Sequence, residues 1–83
     1  MRVQLRYFAA LREALGSGEA CDVPEGQTLG QLRDLLIARG GPHAQVLARG
    51  RAVRCAINQT MADESAGLTP GAEVAFFPPV TGG

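Results

Sequence analysis

Lysine is missing from this chain of 83 residues, so all eight of its basic side chains are arginines. Without a side-chain amine it has no Schiff-base nucleophile and no lysine to accept an isopeptide bond. Tryptophan is also missing, and one tyrosine and three phenylalanines make up the aromatic content. Net charge is zero, eight acids balancing eight arginines. Only Arg49, Arg51 and Arg54 cluster, with no aromatic among them to stack on a base, which argues against a nucleic-acid partner. Cys21 and Cys55 are too far apart for a CxxC pair and lack the ligand pattern of a zinc site. They read as buried thiols, and no metal site is expected. There is no basic-then-apolar leader and no apolar run near membrane-spanning length, so a cytoplasmic protein without a membrane partner is expected.

A catalytic constellation is equally absent. His43 has no serine, acid or cysteine close to it in sequence and reads as a solvent-exposed residue at a helix start. Asp63 and Glu64 are adjacent, so they do not share a helix face and read as part of a solvated loop. No phosphate-binding glycine motif occurs. A chain this short has no room for a deep pocket beside its core, so chemistry is expected at an edge or inside a partner.

What is present is a clear pattern of elements. Arg2 to Phe8 alternates, with Val3, Leu5 and Tyr7 on one face, and predicts a half-buried strand. Ala9 to Leu15 reads as a short helix stopped by Gly16-Ser17-Gly18, and Glu19 to Val23 as a second strand. Thr28 and Gln31 have the spacing of a capping box. The helix after them is expected to carry Leu29, Leu32, Leu35 and Leu36 on its buried stripe, with Arg33, Asp34 and Arg39 off it. Gly30 inside this helix predicts a close approach to the sheet. Gly40-Gly41-Pro42 ends the helix, and His43 to Ala48 reads as a shorter one. Ala52 to Ile57 reads as a third strand, turned by Asn58-Gln59. Thr69-Pro70-Gly71-Ala72 fits a type II turn into a last strand, Glu73 to Phe77. The expected class is α+β, a sheet with one main helix packed on one face.

Two features carry functional information. Pro78 and Pro79 end the last strand and favour an extended arm at about 3.1 Å per residue. Val80, Thr81, Gly82 and Gly83 complete it, and from Pro78 the arm reaches roughly 20 Å. The glycines keep its tip narrow, which suits insertion into a deep site and presentation of the Gly83 carboxylate. The second feature is a set of apolar residues expected to face away from the helix: Ala56, Ala75, Phe77, Val80 and Met61. Together they predict a partner surface.

The stretch Glu73-Val74-Ala75-Phe76-Phe77-Pro78-Pro79-Val80-Thr81-Gly82-Gly83 resembles the ending of the small subunits of molybdopterin synthase, a family of ubiquitin-like sulfur carriers with the β-grasp fold. Val3-x-Leu5-x-Tyr7-Phe8-Ala9 with Leu11-Arg12-Glu13, and Ala56-Ile57-Asn58-Gln59-Thr60, resemble the same family, so the likeness spans essentially the whole chain. It implies a β-grasp domain over residues 1–77 and a tail over 78–83. It also implies that an E1-like adenylyltransferase uses ATP and magnesium to adenylate the carboxyl of Gly83, the nucleotide chemistry belonging to that enzyme. A sulfur donor then converts the adenylate to a thiocarboxylate. Two such carriers supply the dithiolene of molybdopterin from cyclic pyranopterin monophosphate, within a heterotetramer of two small and two large subunits. The large subunit is expected to hold the catalytic residues, leaving this chain a carrier without a permanently bound cofactor. Pro78, Pro79, Val80, Thr81 and Gly82 would enter its active site, and Met61, Phe76 and Phe77 would contact it, Phe77 being favoured over Phe76 by the strand alternation. The same ending leaves open a carrier for thiazole synthesis or tRNA thiolation and a ubiquitin-like protein modifier. A reading of another class is a β-grasp binding module with an inert tail.

Overall fold

The computed structural model describes residues 1–79. Its elements are β1 (Arg2–Tyr7), α1 (Ala10–Leu15), β2 (Gly18–Asp22), α2 (Leu29–Ala38), α3 (Gly41–Leu47), β3 (Arg54–Ile57), β4 (Thr60–Ala62) and β5 (Glu73–Phe77). They build one five-stranded sheet in the order β2-β1-β5-β3-β4. The central strands β1 and β5 are parallel, and every other pairing is antiparallel. The first and last strands of the chain thus lie side by side in the middle of the sheet, which anchors the exit point of the tail.

The alternation expected of β1 holds: Val3, Leu5 and Tyr7 are buried, and Arg2, Gln4 and Arg6 are exposed. β5 runs from Glu73 as expected, with Val74 and Phe76 in the core. The turn before it forms, with Ala72 N–H donating to Thr69 O at 3.1 Å and Gly71 at φ 79°. That backbone angle is one glycine adopts without steric cost. β4 is an addition to the elements expected. Asn58 and Gln59 both take positive φ, 49° and 68°, so the turn closes a tight hairpin and Thr60–Ala62 returns against β3. Asn58 also fixes β5, accepting from Glu73 N–H through Oδ1 at 2.9 Å and donating its own N–H to Glu73 O at 2.8 Å.

The capping box of α2 is present, Thr28 Oγ1 accepting from Gln31 N–H and Gln31 Oε1 from Thr28 N–H. The buried stripe differs from expectation. Counting i, i+3, i+4, i+7 from Leu29 gives Leu32, Arg33 and Leu36, and all of these are buried, with Gly30 beside them, while Leu35 is exposed. Helical geometry chose the face, and an arginine came with it. Arg33 is only 3% exposed. Its Nε donates to Leu47 O at 2.7 Å, and Nη2 donates to Ala48 O at 2.7 Å and Arg51 O at 3.0 Å. Its Nη1 donates to Glu64 Oε2 at 2.8 Å. The guanidinium therefore serves three main-chain acceptors at the end of α3 and in the α3–β3 connection, one of which, Ala48 O, also accepts from Arg51 N–H at 2.8 Å.

Glu64 is accordingly not a solvated loop residue. It bridges Arg33 and Arg49, and Arg49 also reaches Asp34 and the carbonyl of Gly30. Gly30 is explained here too, with a correction. A Cβ at this position would meet atoms of Glu64 at 3.1–3.3 Å, so the close neighbour is the segment after β4 and not the sheet. The Gly30 N–H donates to Glu64 O at 2.9 Å.

This network has a pH signature. The hydrogen bond from Arg49, opposed by partial burial and reinforced by Arg33, holds the Glu64 carboxyl below its ordinary value of 4.5. A depressed folded pKa stabilises fully above the unfolded value and is lost as pH falls through the folded one. The melting temperature should therefore drop on acidification from about pH 5 to about pH 3. Glu64→Gln should start lower at neutral pH and show a flatter profile across that window. Parallel profiles for the two proteins would refute this account.

Candidate functional site

The sheet has two faces of different character. Its inner face meets α2 and α3, where Tyr7 and Phe76 stack with centroids 6.4 Å apart beside Leu5, Leu29, Leu32 and Leu36. Among the described residues no helix packs on the outer face. Cross-strand register sets its rows: Arg6, Ala75, Ala56 and Met61 stand side by side across β1, β5, β3 and β4. One step toward the chain's end, Arg54 stands opposite Phe77.

Phe77 faces outward as its parity in β5 requires, and it is partly exposed. Its ring meets Phe8 edge to face, centroids 6.5 Å apart and planes at 84°. Phe8 is 42% exposed and Met61 53% exposed, two of the three large hydrophobic side chains most open to solvent. Both stand on the outer side of the sheet, near the point where Pro78 and Pro79 leave β5. Arg54, Met61, Ala62 and Asp63 line a shallow open depression there. An apolar surface with a charged border at the root of a peptide arm suits a protein partner.

Two expectations for this face are corrected. Phe76 is fully buried against Tyr7, so it supports the sheet from beneath and offers no side chain to a partner. Ala56 and Ala75 do face outward, but they are 6% and 9% exposed. Standing between the longer Arg6 and Met61 in one row, they form the floor of the face and not its contact surface. Of the expected contact residues, Met61 and Phe77 are brought to one side of the sheet. Phe8 joins them unannounced, although its parity with Gln4 and Arg6 in the first strand gives its direction. Val80, Thr81, Gly82 and Gly83, the expected insertion residues and transfer group, lie outside the described residues.

A second cluster of titratable groups lies on the other side of the sheet. His43 is not free in solvent. Pro42 sits in the first turn of α3, and the His43 ring behind it packs edge-on against Tyr7, with Nε2 3.5 Å from Glu19 Oε2. Glu19 is shared with Arg39, whose Nη1 donates to it at 2.7 Å, and with the Tyr7 hydroxyl at 3.4 Å. Partial burial works against ionisation of Glu19, but the hydrogen bond and charge of Arg39, then His43, take its pKa below the ordinary value. The cluster ties β2 to the facing ends of α2 and α3, on the helix side of the sheet. Both cysteines are buried, as expected. Burial pushes the Cys55 thiol up to about 11 and also raises Cys21. Among the described residues no group of three or more His, Cys, Asp or Glu side chains could hold a metal ion, and no helix is long and apolar enough to cross a membrane.

A mixed sheet with its two terminal strands parallel at the centre, closed over one long helix and bare on its other face, is the ubiquitin-like β-grasp. Residues 5–83 match the family model described as the ThiS family, and the chain belongs to that family. It is 37% identical over 81 residues to the molybdopterin synthase sulfur carrier subunit of Escherichia coli, covering 98% of this chain and 99% of that protein. The Haemophilus influenzae protein of the same name is 36% identical over 77 residues, covering 93% and 94%. Among solved structures, small archaeal modifier protein 1 of H. volcanii superposes with a TM-score of 0.76 at 26% identity, covering 95% of this chain and 98% of that one.

Proposed function

We propose that this chain is the sulfur-carrier subunit of a molybdopterin synthase and that the C-terminal carboxyl of Gly83 is its transfer group. Near end-to-end similarity to sulfur carrier subunits of that name carries the reading. The structure adds a physical fit. Among the described residues no catalytic cluster lies near the tail, but the tail has a firm anchor in the parallel β1–β5 pair and an apolar face at its root. An E1-like enzyme would adenylate Gly83 with ATP and magnesium, exchanging a poor leaving group for a good one. A sulfur donor would then displace AMP to leave a thiocarboxylate. Phe8, Met61 and Phe77 would seat the domain on the large subunit, and Pro78 to Gly82 would lead the thiocarboxylate to cyclic pyranopterin monophosphate. The large subunit would supply the acid–base groups this chain lacks, and holding the reactants together would supply much of the rate. A reducing cytoplasm is where both buried thiols would remain free.

Intact-mass measurement tests the proposal. After incubation with activating enzyme, ATP and sulfur donor, the carrier should gain the mass difference between sulfur and oxygen at its C-terminus. Extension by one residue past Gly83 should abolish that gain without changing the melting temperature. A competent donor system that leaves the mass unchanged would sink it. The likeness to an archaeal modifier protein supports a second reading, attachment of Gly83 to another protein's amine. Such a role would appear in the same experiment as carrier mass added to a target.

A further inference from the structure

An activated C-terminal carboxyl is at risk from every nucleophile near it, and those of the carrier itself are always at hand. This chain contains no lysine. Its α-amino group is engaged, the Met1 ammonium donating to Val23 O at 2.7 Å across the β1–β2 edge. Its two thiols, at Cys21 and Cys55, are 7% and 3% exposed. Cys55 lies on β3 in the core cluster, and Cys21 lies on β2 with Arg39 Nη2 3.6 Å from its sulfur. The thiolate is the form that attacks, and burial disfavours it at both positions. Among the described residues, what remains is hydroxyl groups such as Ser17 and Ser65, weak nucleophiles unless a base activates them, and the His43 imidazole, held partly buried against Tyr7 and Glu19.

We propose that the domain is built to be inert toward its own activated carboxyl, so that the acyl group passes only to a nucleophile supplied by a partner. A second copy of the chain cannot accept it, and chains of linked copies do not form. This rests on the carrier reading of Gly83 and adds to it a rule about acceptors. Arginine supplies the positive charge that lysine would otherwise provide, and its guanidinium stays protonated and does not compete. The fold contributes the other half by withdrawing both thiols.

The test needs no activating enzyme, so it stands apart from any failure of the carrier reading. A C-terminal thioester of the full chain, prepared by intein cleavage with a small thiol, is followed by intact mass. An internal thiol attacking that thioester forms a new one and expels the small thiol; an amine forms an amide with the same loss. The folded chain should show hydrolysis alone. In urea the exposed thiols should expel the small thiol, giving cyclised and joined chains. Arg12→Lys and Arg51→Lys, exposed positions away from the proposed docking residues, should yield amide-joined pairs in the folded state at mildly alkaline pH. Joined or cyclised species from the folded parent chain would overturn the proposal. So would lysine variants no more reactive than the parent, since protection would then owe nothing to the missing amine.

Discussion

Arg33→Met should cost the domain about 3–5 kcal/mol of stability. Methionine fits the volume and the helix, so the loss is specific to hydrogen bonding. The carbonyls of Leu47 and Arg51 lose the Arg33 donor, Ala48 O keeps only the turn bond from Arg51 N–H at 2.8 Å, and Glu64 loses one of its two cations. A buried acceptor left without a partner costs about 1–3 kcal/mol. Water can reach the Arg51 end, and Arg49 still holds Glu64, which keeps the total below the sum of the parts. Against a stability of about 4–12 kcal/mol for a domain of this length, that loss leaves little in reserve. Arg33→Lys should fall between the two, because an ammonium keeps the charge but lacks the planar fork that reaches three carbonyls at once. Urea denaturation of the three proteins measures this directly. A midpoint for the methionine variant equal to that of the parent would show that the connection between α3 and β3 holds without the guanidinium.

Arg33 also marks where sequence reading stops. The strands, the capped helix, the turn at Pro70-Gly71 and the outward direction of Phe77 all follow from patterns within a few residues, and the structure has them. By position Arg33 falls on the buried stripe, and by polarity it falls off it. Position prevails because partners of Arg33 arrive from residues 14 to 31 positions further along the chain. Nothing local announces such a partner. The same limit explains Glu64, read as solvated beside Asp63, and His43, read as exposed until Glu19 and Tyr7 closed on it. Leu35 is the complement of Arg33: apolar in type, yet turned to solvent because the stripe that begins at Leu29 does not pass through it. At the proposed docking face the parity of Phe8 is legible, but its contact with Phe77 joins β1 to β5 and depends on the parallel pairing of those strands.

Phe77→Ala should weaken binding to the large subunit by about 2 kcal/mol or more, roughly 30-fold in Kd, while the domain stays folded. The argument is one of faces. Phe77 lies on the outer side, so its loss removes partner contact and an edge-to-face pair with Phe8 worth about 0.5–1.5 kcal/mol. The neighbouring residue is the control. Phe76 is fully buried against Tyr7, so Phe76→Ala opens a cavity and should cost about 3–5 kcal/mol of stability. Two adjacent phenylalanines in one strand should thus separate binding from folding. Phe8→Ala should follow Phe77 and not Phe76, weakening binding with a small change in melting temperature. Met61→Ala should do so more mildly, because the methionine stands one row away from the aromatic pair. Titration calorimetry with the large subunit, paired with thermal melts, reads both quantities on each variant. An unchanged Kd for Phe77→Ala would move the docking surface off this face. Unfolding of that variant would show that Phe77 holds the sheet together instead of reaching beyond it.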